Sequence, residues 1–152
     1  MELNISSCYN VFDNGVNRVA KSLNISNLHN SEIESYITHR ALIIFKLDLI
    51  LIEHRNSFDK DRFVLFGKNA LYHYLFLKKG VPLDSSKKMS FHDILIVLWD
   101  DISAYNIPSD VLTHLHKGFY FNNPTPLSVR DEERYFQETE WNPEDADRQL
   151  NR

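Results

Sequence analysis

Residues 31–55 read SEIESYITHRALIIFKLDLILIEHR, and the fold turns on how this run is taken. Wound as a helix, it puts Glu32, Ser35, His39, Lys46 and Glu53 on one narrow stripe and leaves nearly everything else apolar. Such a helix belongs at the centre of a bundle. Ser31, followed three residues later by Glu34, is a capping-box pattern in which each side chain satisfies a backbone N–H of the first turn. The rival is a strand, because Phe45-Lys46-Leu47-Asp48-Leu49 alternates apolar and polar residues with a period of two. Helix is the reading taken for the whole run, with residues 41–52 the part where a strand competes. Asp48 lies opposite the polar stripe, among Ile37, Ala41, Ile44 and Ile52, where an unpaired charge is costly. It therefore requires a partner, either an internal Arg or Lys or a group across a dimer.

Upstream, residues 10–23 read as a helix with Phe12, Val16, Val19, Ala20 and Leu23 on one stripe. Asn24 tolerates the left-handed conformation that ends many helices, and residues 26–30 form a polar connection. Downstream, a third helix is expected from Asp59 through Phe63, Phe66, Ala70, Tyr74 and Leu77 to a cap at Gly80, with Pro82 enforcing the stop. Residues 81–89 read as a polar loop. Ser90 with Asp93 opens a fourth helix, whose Phe91, Ile94, Leu95, Leu98, Ile102 and Tyr105 share a face. Pro108 and Ser109 start a short fifth helix to about residue 117. Beyond Gly118, two prolines within residues 122–126 cannot continue a helix and mark a boundary. Ser128 with Asp131, and Asn142 before Pro143, then start two short acidic helices. The expected fold is all-α: a compact helical bundle of about five helices over residues 1–121, with an acidic, aromatic C-terminal helical extension over 122–152.

Composition agrees. A chain of 152 residues, 43% hydrophobic and 25% charged, can bury one core, and four glycines among ten Phe and seven Tyr favour long elements over a turn-rich barrel. The single Cys8 offers neither a disulfide nor a zinc framework, and no secretory or membrane-spanning run is present, so a cytoplasmic protein with no membrane partner is expected. Charge is unevenly spread. Residues 1–88 carry 12 basic and 9 acidic side chains, whereas 89–152 carry 5 and 12, and such asymmetry points to partners.

The stretch Arg18-Val19-Ala20-Lys21-Ser22-Leu23-Asn24-Ile25-Ser26 resembles the first helix and turn of a helix-turn-helix. Over these few residues the small Ala20, the apolar Val19, Leu23 and Ile25 and the turn at Asn24 fit that family, and the resemblance implies DNA contacts from Arg18, Lys21 and Arg40. The second half departs from the pattern. Asn30 stands where an apolar residue is expected, and Glu32 and Glu34 at the start of the would-be recognition helix repel phosphate.

The pair His92-Asp93 resembles part of the ligand set of metal-dependent phosphohydrolases, and with Asp100 it shares the face opposite the core of the fourth helix. The other ligands such enzymes need have no counterpart at a defensible spacing, so a solvated face is preferred. His73 shares a face with Phe66, Ala70 and Leu77 and reads as a core or interface histidine with one hydrogen-bond partner. Lys78, Lys79, Lys87 and Lys88 flank the loop after the third helix.

No nucleophile elbow, phosphate loop or dinucleotide fingerprint occurs, so no catalytic residue, metal or cofactor is assigned. The function expected is that of a non-enzymatic regulator or adaptor that binds another macromolecule, most simply a protein with a basic surface. Tyr135, Phe136 and Trp141 would anchor that partner while Glu132 and Glu133 steer it. A helix-turn-helix DNA-binding regulator and a small metal-dependent hydrolase are the alternatives. A homodimer is also expected, because helices 31–55 and 59–79 carry more apolar surface than the few other elements cover.

Overall fold

In the computed structural model, residues 3–25, 31–122 and 134–150 are described, and among them every regular element is helical. Eight α-helices run in chain order: α1 Ile5–Ser22, α2 Ser31–Phe58, α3 Asn69–Lys79, α4 Leu83–Lys88, α5 Phe91–Val97, α6 Trp99–Ala104, α7 Ser109–Gly118 and α8 Pro143–Leu150. A 3-10 turn at Glu138–Glu140 precedes α8. The strand alternative for residues 41–52 is excluded, since all of them lie within α2.

α2 is the axis, with α1, α3, α6 and α8 packing on it. Its buried residues run around the whole circumference, from Ile37 and Ala41 through Leu47, Leu49 and Ile52. A helix covered on all sides can carry polar groups only with partners, and Thr38, Arg40, Asp48 and His54 each have one, in the Tyr120 carbonyl, Glu140, Trp141 and His73. α1 starts a turn earlier than expected, because the Asn4 side chain accepts the Ser7 N–H at 2.9 Å. It ends as expected, with Asn24 in the left-handed region at φ 61°. The stripe Cys8, Val11, Phe12, Val16, Val19 and Leu23 faces the core, and burial pushes the Cys8 thiol up to about 11.

Three expectations on the downstream half are corrected. The third helix begins at Asn69, not Asp59, and residues 59–68 form a loop. The supposed loop at 81–89 contains α4. The single fourth helix is two, broken at Leu98, although Ser90 caps its start as expected by accepting the Asp93 N–H at 3.1 Å. Within residues 1–121 these changes make seven helices among the described residues where about five were expected, and α8 is the helix expected to start at Asn142 and Pro143. The helix start expected at Ser128 with Asp131, and the connection at residues 26–30, lie outside the described residues.

Residues 134–150 pack on α1 and α2. Asn142 caps α8 by accepting the Asp145 N–H at 3.1 Å, with Pro143 at the first helical position as its ring requires. Trp141 is buried, stacks on Phe91 at 5.3 Å with rings 5° apart, and donates its indole N–H to Asp48 Oδ1 at 2.8 Å. The partner that Asp48 requires is thus an indole, neither of the two kinds foreseen. Burial holds the Asp48 carboxyl up to about 7, against the opposing pull of Trp141 and of Arg18.

Candidate functional site

The residues singled out in the sequence are not brought together. Arg40 is 2% exposed. Its guanidinium donates to both Glu140 carboxylate oxygens, at 2.5 and 2.8 Å, and to the Tyr36 hydroxyl at 2.8 Å, and it lies 4.1 Å from the centre of the Phe136 ring. A group so enclosed cannot reach a phosphate, so Arg40 is withdrawn as a DNA contact. Arg18 is turned towards Asp145 at 3.6 Å, which leaves only Lys21 exposed of the three. The partner-binding set is corrected in the same way. Trp141 is core and Phe136 roofs Arg40, so of the three aromatics only Tyr135, 60% exposed, faces solvent. Glu132 and Glu133 lie outside the described residues. His92 accepts the Phe136 backbone N–H at 3.1 Å, while Asp93 and Asp100 are exposed, and no group of three or more His, Cys, Asp or Glu among the described residues is placed to hold a metal ion.

The exposed apolar residues that stand out fall largely on the 59–79 stretch, whose surplus apolar surface was expected to be covered by a homodimer. Of eleven exposed large apolar residues among the described ones, seven fall within 58–83: Phe58, Phe63, Val64, Phe66, Phe76, Leu77 and Leu83. Exposed apolar residues are thus denser in this stretch than in the rest of the chain. Phe63 is the extreme case at 83% exposure.

Local chemistry explains why residues 59–68 are a loop. The Asp59 carboxylate accepts the backbone N–H groups of Phe63 at 3.0 Å, Val64 at 2.7 Å and Leu65 at 2.8 Å. Donors taken by a side chain cannot join a helical ladder. These three bonds hold the Asp59 carboxyl below the usual carboxylate range, led by the one from Leu65. Arg62 and Gly67 both take positive φ, 60° and 56°, and a Cβ on Gly67 would also meet Glu144 Oε1 at 2.9 Å. Leu65 turns into the core and fastens the middle of the loop.

Asp147 of α8 fastens the rest. It accepts the Gly67 N–H at 2.6 Å and forms an ion pair with the buried Arg55, while its carbonyl accepts from Arg62 at 3.3 Å. Phe63 and Val64 are therefore held in solvent by a hydrogen-bonded scaffold. A left-handed non-glycine residue persists only where its surroundings over-determine it, and such positions cluster at functional sites.

α2, α3, α6 and the Tyr105 that follows α6 enclose an open groove of about 450 Å³. Ile50 and Ala104 are apolar lining, and Phe58 and Lys78 also line the groove. The Tyr74 hydroxyl donates to Asp101 Oδ2 at 2.7 Å, and Lys79 pairs with Asp101 at 3.2 Å. The Tyr105 hydroxyl donates to Glu53 at 3.2 Å. Burial, then the adjacent carboxylate, raises both phenols above the ordinary tyrosine value. His54 and His73 share a hydrogen bond at 2.8 Å, so His73 has the single partner its position suggested. Burial, reinforced by His73 and Lys78, lowers His54 to about 4 and keeps it neutral at pH 7. Phenols paired with carboxylates and a neutral imidazole suit recognition by shape and hydrogen bonding.

No family model, no curated protein and no solved structure matches this chain. No helix among the described residues is long and apolar enough to cross a membrane.

Proposed function

We propose that the chain is a non-enzymatic regulator or adaptor that acts by binding another protein, and that it docks through the loop at 59–68 together with the exposed face of α3. The observation that carries the reading is Phe63, 83% exposed at the tip of a loop fixed by Asp59 and Asp147. Large aromatics supply much of the energy of protein interfaces, and one held rigidly in place loses little entropy on binding. Seven exposed large apolar residues within one stretch of chain would otherwise be an aggregation liability.

This reading moves the docking surface from the C-terminal segment, where Trp141 and Phe136 are occupied internally, to the end of the molecule formed by α2 and α3. The test compares proteins retained from the source cells by the wild-type chain and by a folded Phe63→Ser, Phe66→Ser variant. A specific partner lost by the variant is the expected result. Equal retention of the same proteins by both chains would overturn the proposal.

A further inference from the structure

Independently of the docking reading, we infer that the groove between α2, α3, α6 and Tyr105 binds a small organic cation, an ammonium or guanidinium group carried on an apolar body. Its volume of about 450 Å³ lies within the range of small-molecule sites. The polar lining is what selects a cation. Three hydroxyl protons are already committed: Tyr74 donates to Asp101 Oδ2 at 2.7 Å, Tyr105 to Glu53 Oε1 at 3.2 Å, and Ser57 to the Glu53 carbonyl at 3.0 Å. What these groups leave to a ligand is oxygen lone pairs, which only a donor can use. Asp101 is offset by Lys79 at 3.2 Å, whereas Glu53 makes no ion pair among the described residues, so its carboxylate is the uncompensated negative charge of the groove.

The apolar side of the groove suits the same ligand. The His54 ring lies 4.8 Å from that of Phe58 and 5.1 Å from that of Tyr74, so an aromatic wall stands beside the carboxylates. Rings such as Phe58 and Tyr74 attract a cation electrostatically, and more strongly where water is partly excluded. His54 adds no opposing charge at pH 7, since burial lowers it to about 4. Lys78 is the opposing cation of the lining, and it is exposed, on a flexible stem that can turn away. A carboxylate or phosphate ligand would meet Glu53 and Asp101 with Lys78 as the one unpaired lysine of the lining in its favour. A neutral polyol, which needs donors as well as acceptors, would find the hydroxyl protons of Tyr74, Tyr105 and Ser57 already used.

The test titrates four probes with one shared aromatic body into the full chain, up to the low millimolar range: phenethylamine, phenethylguanidine, phenethyl alcohol and hydrocinnamate. Amide chemical-shift mapping locates the binding. Glu53→Gln keeps an acceptor for Tyr105 and removes the charge, Lys78→Met removes the lysine charge and keeps its stem, and Phe63→Ser is the control, each shown to be folded by circular dichroism. The inference expects both cations to bind in the groove more tightly than the alcohol and hydrocinnamate. Their affinity should fall at least about threefold in Glu53→Gln, rise at least about twofold in Lys78→Met, weaken as salt rises and stay unchanged in Phe63→Ser. An anion site would reverse the sign of both charge variants. Equal or tighter binding of the alcohol or hydrocinnamate would overturn the inference. So would cation binding that is indifferent to Glu53→Gln, not strengthened by Lys78→Met or lost in Phe63→Ser, and so would no binding by any probe. None of these outcomes touches the docking reading, which rests on retention of a protein partner.

Discussion

Residues 134–150 and residues 58–83 both set aromatic side chains among charges, and the two segments turn them in opposite directions. In the C-terminal segment the polar neighbours find buried partners: Glu140 pairs with Arg40, and the Trp141 indole donates to Asp48. Each such bond draws an aromatic inward, so Phe136 covers Arg40 and Trp141 stacks on Phe91. In the other segment the polar groups serve the backbone. Asp59 and Asp147 fix the loop amides, and the rings of Phe63 and Phe66 are left outside. Whether an aromatic becomes core or surface is decided here by what its polar neighbours bond to.

The contrast can be broken most severely at the inward-facing segment. Glu140→Ala leaves the Arg40 charge buried without its carboxylate, and equilibrium unfolding should show a loss of about 3–5 kcal/mol. A loss under about 1 kcal/mol would mean that the segment does not hold the fold. At the junction of the two regions, Asp147→Asn weakens the anchor of the loop while keeping one acceptor, with an expected loss of about 1–3 kcal/mol. Hydrogen exchange at Val64 and Gly67 should quicken more than at α2 amides. Uniform acceleration would contradict a local anchoring role.

Asp48 sharpens the comparison through pH. Its folded value of about 7 lies above the ordinary 3.8, so the folded state binds the proton more tightly than the unfolded chain. Its contribution is full below about pH 4 and is lost as pH rises through about 7. Asp48→Asn should remove that loss and gain on the order of 1 kcal/mol relative to wild type at pH 8. The lowered His54 acts in the opposite direction, with stability lost as pH falls from 6.5 towards 4, so the difference between variant and wild type isolates Asp48. An unchanged pH profile in the variant would contradict the buried, indole-bonded position of Asp48.

The long helix was legible because period and burial agree along it, and the caps at Asn24, Ser90 and Asn142 were legible because side-chain chemistry fixes them locally. Residues 59–68 misled because Phe63, Phe66 and Ala70 keep helical spacing, while the Asp59 carboxylate competes for the very N–H groups a helix needs. Gly67 was the local signal that could have told against a helix there. The C-terminal pairs were invisible to any local pattern. Arg40 and Glu140 stand 100 residues apart, and Asp48 and Trp141 stand 93 apart. Charge counted along the chain described a steering surface, whereas in the fold Glu140 and Asp145 are internal partners of Arg40 and Arg18.

Side-by-side urea unfolding of Trp141→Ala and Phe63→Ser tests the division between the two regions most directly. The account predicts a loss of about 3–5 kcal/mol for Trp141→Ala, from the emptied volume and the orphaned Asp48, and a change within about 0.5 kcal/mol for Phe63→Ser. Comparable losses in both variants, or a larger loss for Phe63→Ser, would contradict it.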